Sequence, residues 1–229
     1  MIDLTGIKEL TIDGVKLKEL YIDDVQIWKS GLLPIGYIQL DYIEANGSQY
    51  IDSGITGHTG ISVEANYMVT GLNGNAATDG IIIGSSNSAN QRMYLAVNGS
   101  ADPFAWELGA SNYKVASYKS KFNYKYNIKV NWTTQESALY IDGIATDISS
   151  AATNFDNSTN MFILARNKGG AQYFCHGRLY DMKIWDSDVL VRDFVPAKYK
   201  DGSVGLYDLV SNTFFTNKGT GSFGAGGVV

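Results

Sequence analysis

Few of the 229 residues have the type and spacing that chemistry demands. Trp106 stands in DPFAWELGASNY, shortly before Asn112 and Tyr113. An aromatic ring beside polar groups is what a sugar site needs, a platform for the apolar sugar face and partners for the hydroxyls. The competing reading puts Trp106 in a hydrophobic core, where large aromatics usually go. Trp132 in KVNWTT and Trp185 in MKIWDSD alternate with strand residues and read as core or sheet-face positions, and Trp28 as packing at a junction. His58 and His176 lie 118 positions apart, which gives poor support to a histidine triad or a zinc site. GSS at 84–86 lacks the Gly-x-Ser-x-Gly setting of a nucleophile elbow. Asp181, Asp186 and Asp188 in YDMKIWDSD fall at mixed parity, so strand alternation does not aim them at one point. No catalytic residue is assigned, and the expectation is a protein that is not an enzyme.

The elements that must position these residues read as strands. Aromatics are plentiful, with 15 Tyr and 9 Phe, while 25 Gly and many Asn residues supply turns. From Tyr37 onward, segments such as ISVEANYMV (61–69), QRMYLAVNG (91–99) and NMFILARN (160–167) follow each other without a helical period. YNIKVNWTT (126–134) and ESALYIDGIA (136–145) read as a hairpin carrying an Asp-Gly turn, and GLYDLVSNTFFTN (205–217) as a closing hairpin. DVLVRDFVPAKY has room for one helical turn, and GTGSFGAGG reads as a flexible C-terminal tail. The spacing indicates an all-β, antiparallel two-sheet jelly-roll sandwich.

Ahead of it lies a repeat: KELTIDGV at 8–15 returns as KELYIDDV at 18–25. Leu10, Ile12, Val15, Leu17, Leu20, Ile22, Val25 and Ile27 alternate with polar residues, giving a short β-meander with one apolar face. So small a unit cannot hide that face within itself. It must lie on the following domain or on copies of itself. The expected division is an attachment or oligomerisation segment at 1–30 and a jelly-roll domain at 31–229, joined at SGLLPIG.

A formal charge of −5 argues against a nucleic-acid grip, which needs a basic surface. The single cysteine, Cys175, excludes an internal disulfide framework and reads as a buried, inert thiol. MIDLTGIKEL lacks the features of a signal peptide, and no apolar run is long enough to span a bilayer. The expectation is synthesis in a bacterial cytoplasm, with any outside role reached by lysis or as part of a particle.

Three segments resemble the laminin-G-like branch of the concanavalin A-like jelly rolls. YNIKVNWTTQESALYIDGIATD is similar to its central hairpin, GRLYDMKIWDSDVLVRDFVPA to its late core strand, and QYIDSGI with ISVEANYMV to its opening strands. The retaining glucanases of that superfamily carry Glu-x-Asp-x-Glu or a close variant, which this chain lacks. Some laminin-G-like domains bind calcium, for which the resemblance offers Asn73, Asn75, Asp79, Asp156 and Asn157 as loop oxygens, with no Asp-x-Asp-x-Asp-Gly run to hold it. LPIGYIQLDYIEANGSQYIDSGI and GLYDLVSNTFFTNKGTGSF also resemble domain borders in structural proteins of phages and prophages of Gram-positive bacteria. That likeness implies a two-sheet sandwich on a virion or tail, often one involved in surface attachment. The unshielded repeat adds the expectation of a homo-oligomer or of docking on other virion proteins, with a head that takes bacterial surface glycan or serves only as decoration.

Overall fold

A computed structural model describes residues 10–12, 15–17, 19–22, 25–29, 33–72, 80–88, 91–97, 103–109, 112–119, 121–133, 137–149 and 156–229. Every regular element among them is a strand. Two hairpins come first, β1 (Leu10–Ile12) with β2 (Val15–Leu17), and β3 (Glu19–Ile22) with β4 (Val25–Lys29). The strands that follow are β5 (Tyr37–Gln39), β6 (Ile43–Asn46), β7 (Ile51–His58), β8 (Ile61–Val69), β9 (Ile81–Ser88), β10 (Gln91–Val97), β11 (Pro103–Leu108) and β12 (Asn112–Lys119). Then come β13 (Lys125–Trp132), β14 (Ser137–Ile141), β15 (Ile144–Ser149), β16 (Asp156–Ile163), β17 (Arg166–Asn167) and β18 (Ala171–Gln172). The chain closes with β19 (His176–Asp186), β20 (Val189–Tyr199), β21 (Val204–Asp208), β22 (Thr213–Thr216) and β23 (Gly224–Ala225).

Two sheets form the sandwich. Sheet I runs β12-β11-β10-β9-β16-β7, with β17 on β9 and β18 on β17. Sheet II runs β15-β14-β13-β8-β19-β20-β21-β22, with β6 on β19, β23 on β6 and β5 on β20. All pairings are antiparallel except that of β17 with β9. The expected all-β sandwich is therefore the observed fold. Strand β8 shows why: Ile61, Val63, Ala65, Tyr67 and Val69 are buried, while the residues between them are half-buried. Those inward residues meet Met93, Leu95, Phe104, Trp106 and Leu108 of sheet I in one core, with Ile128, Val130 and Trp132 beside them. The Asp142-Gly143 turn has φ of 50° and 78° and places Ile141 opposite Ile144, the two-residue hairpin its sequence indicates.

Three expectations need correction. DVLVRDFVPAKY holds no helical turn; it is the eleven-residue strand β20. The C-terminal stretch is docked rather than loose. Phe223 enters the core, β23 pairs with β6, and the Asp41 N–H donates to the Gly227 carbonyl at 2.8 Å. Its glycines permit that approach, since a Cβ on Gly219 would lie 2.0 Å from the Ser48 carbonyl oxygen. Among the described residues the N-terminal repeat pairs as two hairpins, β1 with β2 and β3 with β4, rather than as one continuous meander. Leu10 stands opposite Leu17, Ile12 opposite Val15, Leu20 opposite Trp28 and Ile22 opposite Val25, while the register skips Ile27 at an irregularity.

Candidate functional site

Positions that alternate with the core give sheet II an outer face of polar and aromatic side chains. Opposed residues of an antiparallel ladder share a face. One row across the sheet holds Asn131, Ser62 and Trp185, and the next Tyr140, Lys129, Glu64, Lys183 and Asp193. A third row holds Asn127, Asn66 and Asp181, and a fourth Lys125, Met68, Arg178 and Glu44. Strand β19 has an irregularity that skips Tyr180 between Leu179 and Asp181. Strict alternation would send Tyr180 and Asp181 to opposite faces. Instead both lie outside, Tyr180 donating to the Met68 Sδ at 3.8 Å and Asp181 accepting from Asn66, while Leu179 and Met182 are fully buried.

The polar groups of this face are held in place. The Asn66 amide donates to both Asp181 oxygens at 3.0 and 2.9 Å, and the Asn127 amide to Glu64 Oε1 at 2.9 Å. Arg178 donates to Glu44 at 3.1 Å and lies 4.5 Å from the Tyr42 ring centre, and Tyr42 meets Tyr180 edge-on at 5.5 Å. Lys183 stands 3.9 Å from Asp193. Burial raises the Asp193 carboxyl above the usual range, against the pull of Lys183. Burial likewise raises the Tyr180 phenol, with Asp41 adding to the effect. Lys125 sits 4.4 Å over the Tyr180 ring and Lys129 5.9 Å from that of Trp185. Trp185 and Tyr180 lie roughly 15 Å apart along the strands, so the face is longer than one sugar. Fixed hydrogen-bonding groups between two aromatic rings can bind a chain of hydroxyl-bearing rings without a deep cavity. The recess lined by Val69, Leu72, Val97, Phe174, Cys175 and His176 has no interior room even for a water molecule, so it is not a small-molecule pocket.

The residues singled out in the sequence are placed differently. Trp106 is fully buried in the core, so its ring offers no surface platform; the aromatic signal there came from packing. Asn112 and Tyr113 lie on β12, paired with Leu108 and Glu107. Asn73, Asn75 and Asp79 fall outside the described residues. Asp156 is exposed and caps its own turn, accepting from the Ser158 N–H at 2.9 Å. Asn157 is fully buried, donates to Ser85 at 2.7 Å and accepts from the Thr159 N–H at 3.0 Å, a poor fit to a calcium ligand. Among the described residues no three His, Cys, Asp or Glu side chains converge as a metal site would require. His58 ends β7 with its Nε2 3.3 Å from Asp186, linking the two sheets, whereas His176 opens β19. Sequence reasoning passed over Tyr180, Asp181, Asn66 and Asn127 as a group. Parity along β8 and β13 could have collected the amides, but the displaced register of β19 leaves no sequence signature.

The pattern of the Concanavalin A-like lectin/glucanases superfamily matches residues 41–193, more than half of the chain. No curated protein matches it in sequence. Among solved structures, a Bacteroides ovatus protein described as a candidate carbohydrate binding protein superimposes with a TM-score of 0.60 at 13% identity, over 83% of this chain and 60% of that one. The Ruminococcus gnavus IT-sialidase CBM40, bound to alpha2,3 sialyllactose, gives a TM-score of 0.51 at 12% identity, over 67% of this chain and 93% of the module. At these identities the likeness is one of fold, and it agrees with the sequence pattern and the two-sheet sandwich. This chain belongs to the concanavalin A-like lectin/glucanases superfamily.

Proposed function

We propose that the protein is a noncatalytic carbohydrate-binding jelly roll whose ligand lies across the outer face of sheet II. One observation carries this reading: Trp185 and Tyr180 flank a field of amides and carboxylates already fixed by mutual hydrogen bonds. Groups fixed in advance lose little entropy when a sugar chain arrives. The noncatalytic part rests on the sequence, which lacks the Glu-x-Asp-x-Glu run of the superfamily's retaining glucanases. The test is affinity electrophoresis of the full chain through gels containing bacterial surface polysaccharides, with a reducing-end assay on the same polymers. Retardation that Trp185→Ala removes, without new reducing ends, is the expected result. Retardation unchanged by Trp185→Ala would place the ligand elsewhere, and new reducing ends would make the protein an enzyme. The face needs no metal, so chelation with EDTA leaves retardation unchanged.

The particle on which such a module works is part of the proposal. The border segments and the N-terminal repeat support a phage or prophage virion or tail protein, with residues 1–30 joining copies or docking them on other virion proteins. Several weak sites on one assembly would raise avidity. Light scattering on the full chain and on a chain starting at Ser30 tests this, an oligomer that becomes monomeric on truncation being expected.

A further inference from the structure

The charges on the outer face of sheet II are not equally occupied. Among the described residues it carries four carboxylates, Glu44, Glu64, Asp181 and Asp193, and each is engaged: by Arg178, by the Asn127 amide, by the Asn66 amide and by Lys183. Of the four cations, Arg178 and Lys183 are spent in those pairs. Lys125 and Lys129 have no carboxylate within ion-pair distance among the described residues. Their ammonium groups lie instead over Tyr180 and Trp185, the two rings to which the glycan reading assigns stacking. They stand four residues apart on β13, roughly 13 Å along the strand, so the face presents a cation beside each platform. The whole chain is acidic at −5, so a general attraction for anions is absent and any such preference is local to these two lysines.

We infer that the ligand of this face is an acidic polysaccharide, with repeated carboxylate or phosphate groups set against Lys125 and Lys129 while its sugar rings lie on Tyr180 and Trp185. This rests on the glycan-binding reading and names the class of glycan. A neutral chain would leave both ammonium groups without a counter-charge beneath it. A chain with spaced anions gives each one a partner, and Arg178 and Lys183 offset the charges of Glu44 and Asp193 on the same face.

The test compares acidic with neutral polymers, one pair of which differs in charge and not in sugar. The full chain is run through gels containing polygalacturonate or its methyl ester, then alginate, hyaluronate, poly(glycerol phosphate), galactan and dextran. Retardation by one or more acidic polymers is expected, and by no neutral one; where polygalacturonate binds, its ester binds about tenfold more weakly, the effect of two exposed charge contacts. Lys125→Gln with Lys129→Gln weakens the acidic interaction by the same factor, leaves thermal unfolding unchanged, and removes most of its dependence on salt. Poly(glycerol phosphate) alone retarding the chain overturns the inference, because that polymer has no sugar ring to lie on Tyr180 and Trp185. Neutral polymers binding as tightly as acidic ones, or the double variant binding like the parent, overturns the acidic ligand while the glycan reading stands. No retardation by any polymer overturns both.

Discussion

Two stretches of outer face, one on each sheet, arise from the same strand alternation and end in opposite states. On sheet II the outward residues of β8, β13 and β19 remain accessible and polar. Farther along the same sheet, Val195 and Ala197 of β20 are covered, packed with Leu33 and Tyr207. On sheet I, Ile81, Tyr94 and Ala96 form a buried cluster against Tyr173. The chain there leaves β16, pairs β17 alongside β9, and returns through β18. Arg166 is only 5% exposed under this cover, its guanidinium 4.2 Å from the Tyr173 ring and 5.5 Å from that of Tyr94. Desolvation lowers its pKa, with the two tyrosines opposing. Glu107, 1% exposed, lies 3.4 Å from Arg92 on the same sheet. Period-two patterning creates two faces, and a short excursion elsewhere in the chain decides which one solvent reaches.

The most damaging way to break this contrast is to add volume where sheet I is covered. A Cβ on Gly84 would lie 2.4 Å from that of Tyr94 and 2.7 Å from the Met93 carbonyl oxygen. Gly84→Ala is expected to cost about 3 kcal/mol in urea unfolding, and Ser62→Ala on the open face less than about 0.5 kcal/mol. Equal effects would mean that the two faces do not differ in packing.

A matched pair of cations sharpens the point. Arg166 over Tyr173 and Lys125 over Tyr180 have nearly the same geometry, 4.2 and 4.4 Å, but only the first is buried. Arg166→Ala should cost about 2 kcal/mol and Lys125→Ala within about 0.5 kcal/mol. Similar losses would show that burial does not set the strength of these contacts.

The interior shared by both faces makes a third prediction. Burial pushes the Cys175 thiol from 9.0 up to about 12, against the hydrogen bond it shares with the Tyr67 hydroxyl at 3.0 Å. A raised folded pKa means that the unfolded chain loses this proton first. The stabilisation is therefore complete below the unfolded value and is lost as pH rises from about 9 towards 12, at up to about 1.4 kcal/mol per pH unit. Denaturant midpoints measured across that range should fall less steeply for Cys175→Ala. Some slope will persist from Tyr67, whose phenol burial also raises. Trp185→Ala is expected to cost about 1 kcal/mol or less in stability, although it removes polysaccharide retardation. A larger loss would mean that this ring serves packing more than binding.

Much of the fold was legible before any coordinates. The alternation of ISVEANYMV, the Asp142-Gly143 turn and the order of the laminin-G-like segments all led to the sandwich. The site was much less legible. Trp106 and Trp185 both sit in alternating strand sequence, yet one is in the core and the other on the open face. Parity relates neighbours within a strand; it does not say which parity looks towards the opposite sheet.

What the sequence alone determined were the local properties: strands rather than helices, the hairpin turns, a buried thiol at Cys175, and the absence of a glucanase carboxylate run. Tertiary structure alone decided the remainder. It set the displaced register that puts Tyr180 beside Asp181, the docking of the glycine-rich C-terminus through Phe223, and the cover that closes sheet I over Tyr94 while β8, β13 and β19 of sheet II stay open. The physical reason is the range of the interactions. Backbone preference and alternation act over a few residues, whereas the Asn66–Asp181 bond joins positions 115 apart, as only the finished sheet can do.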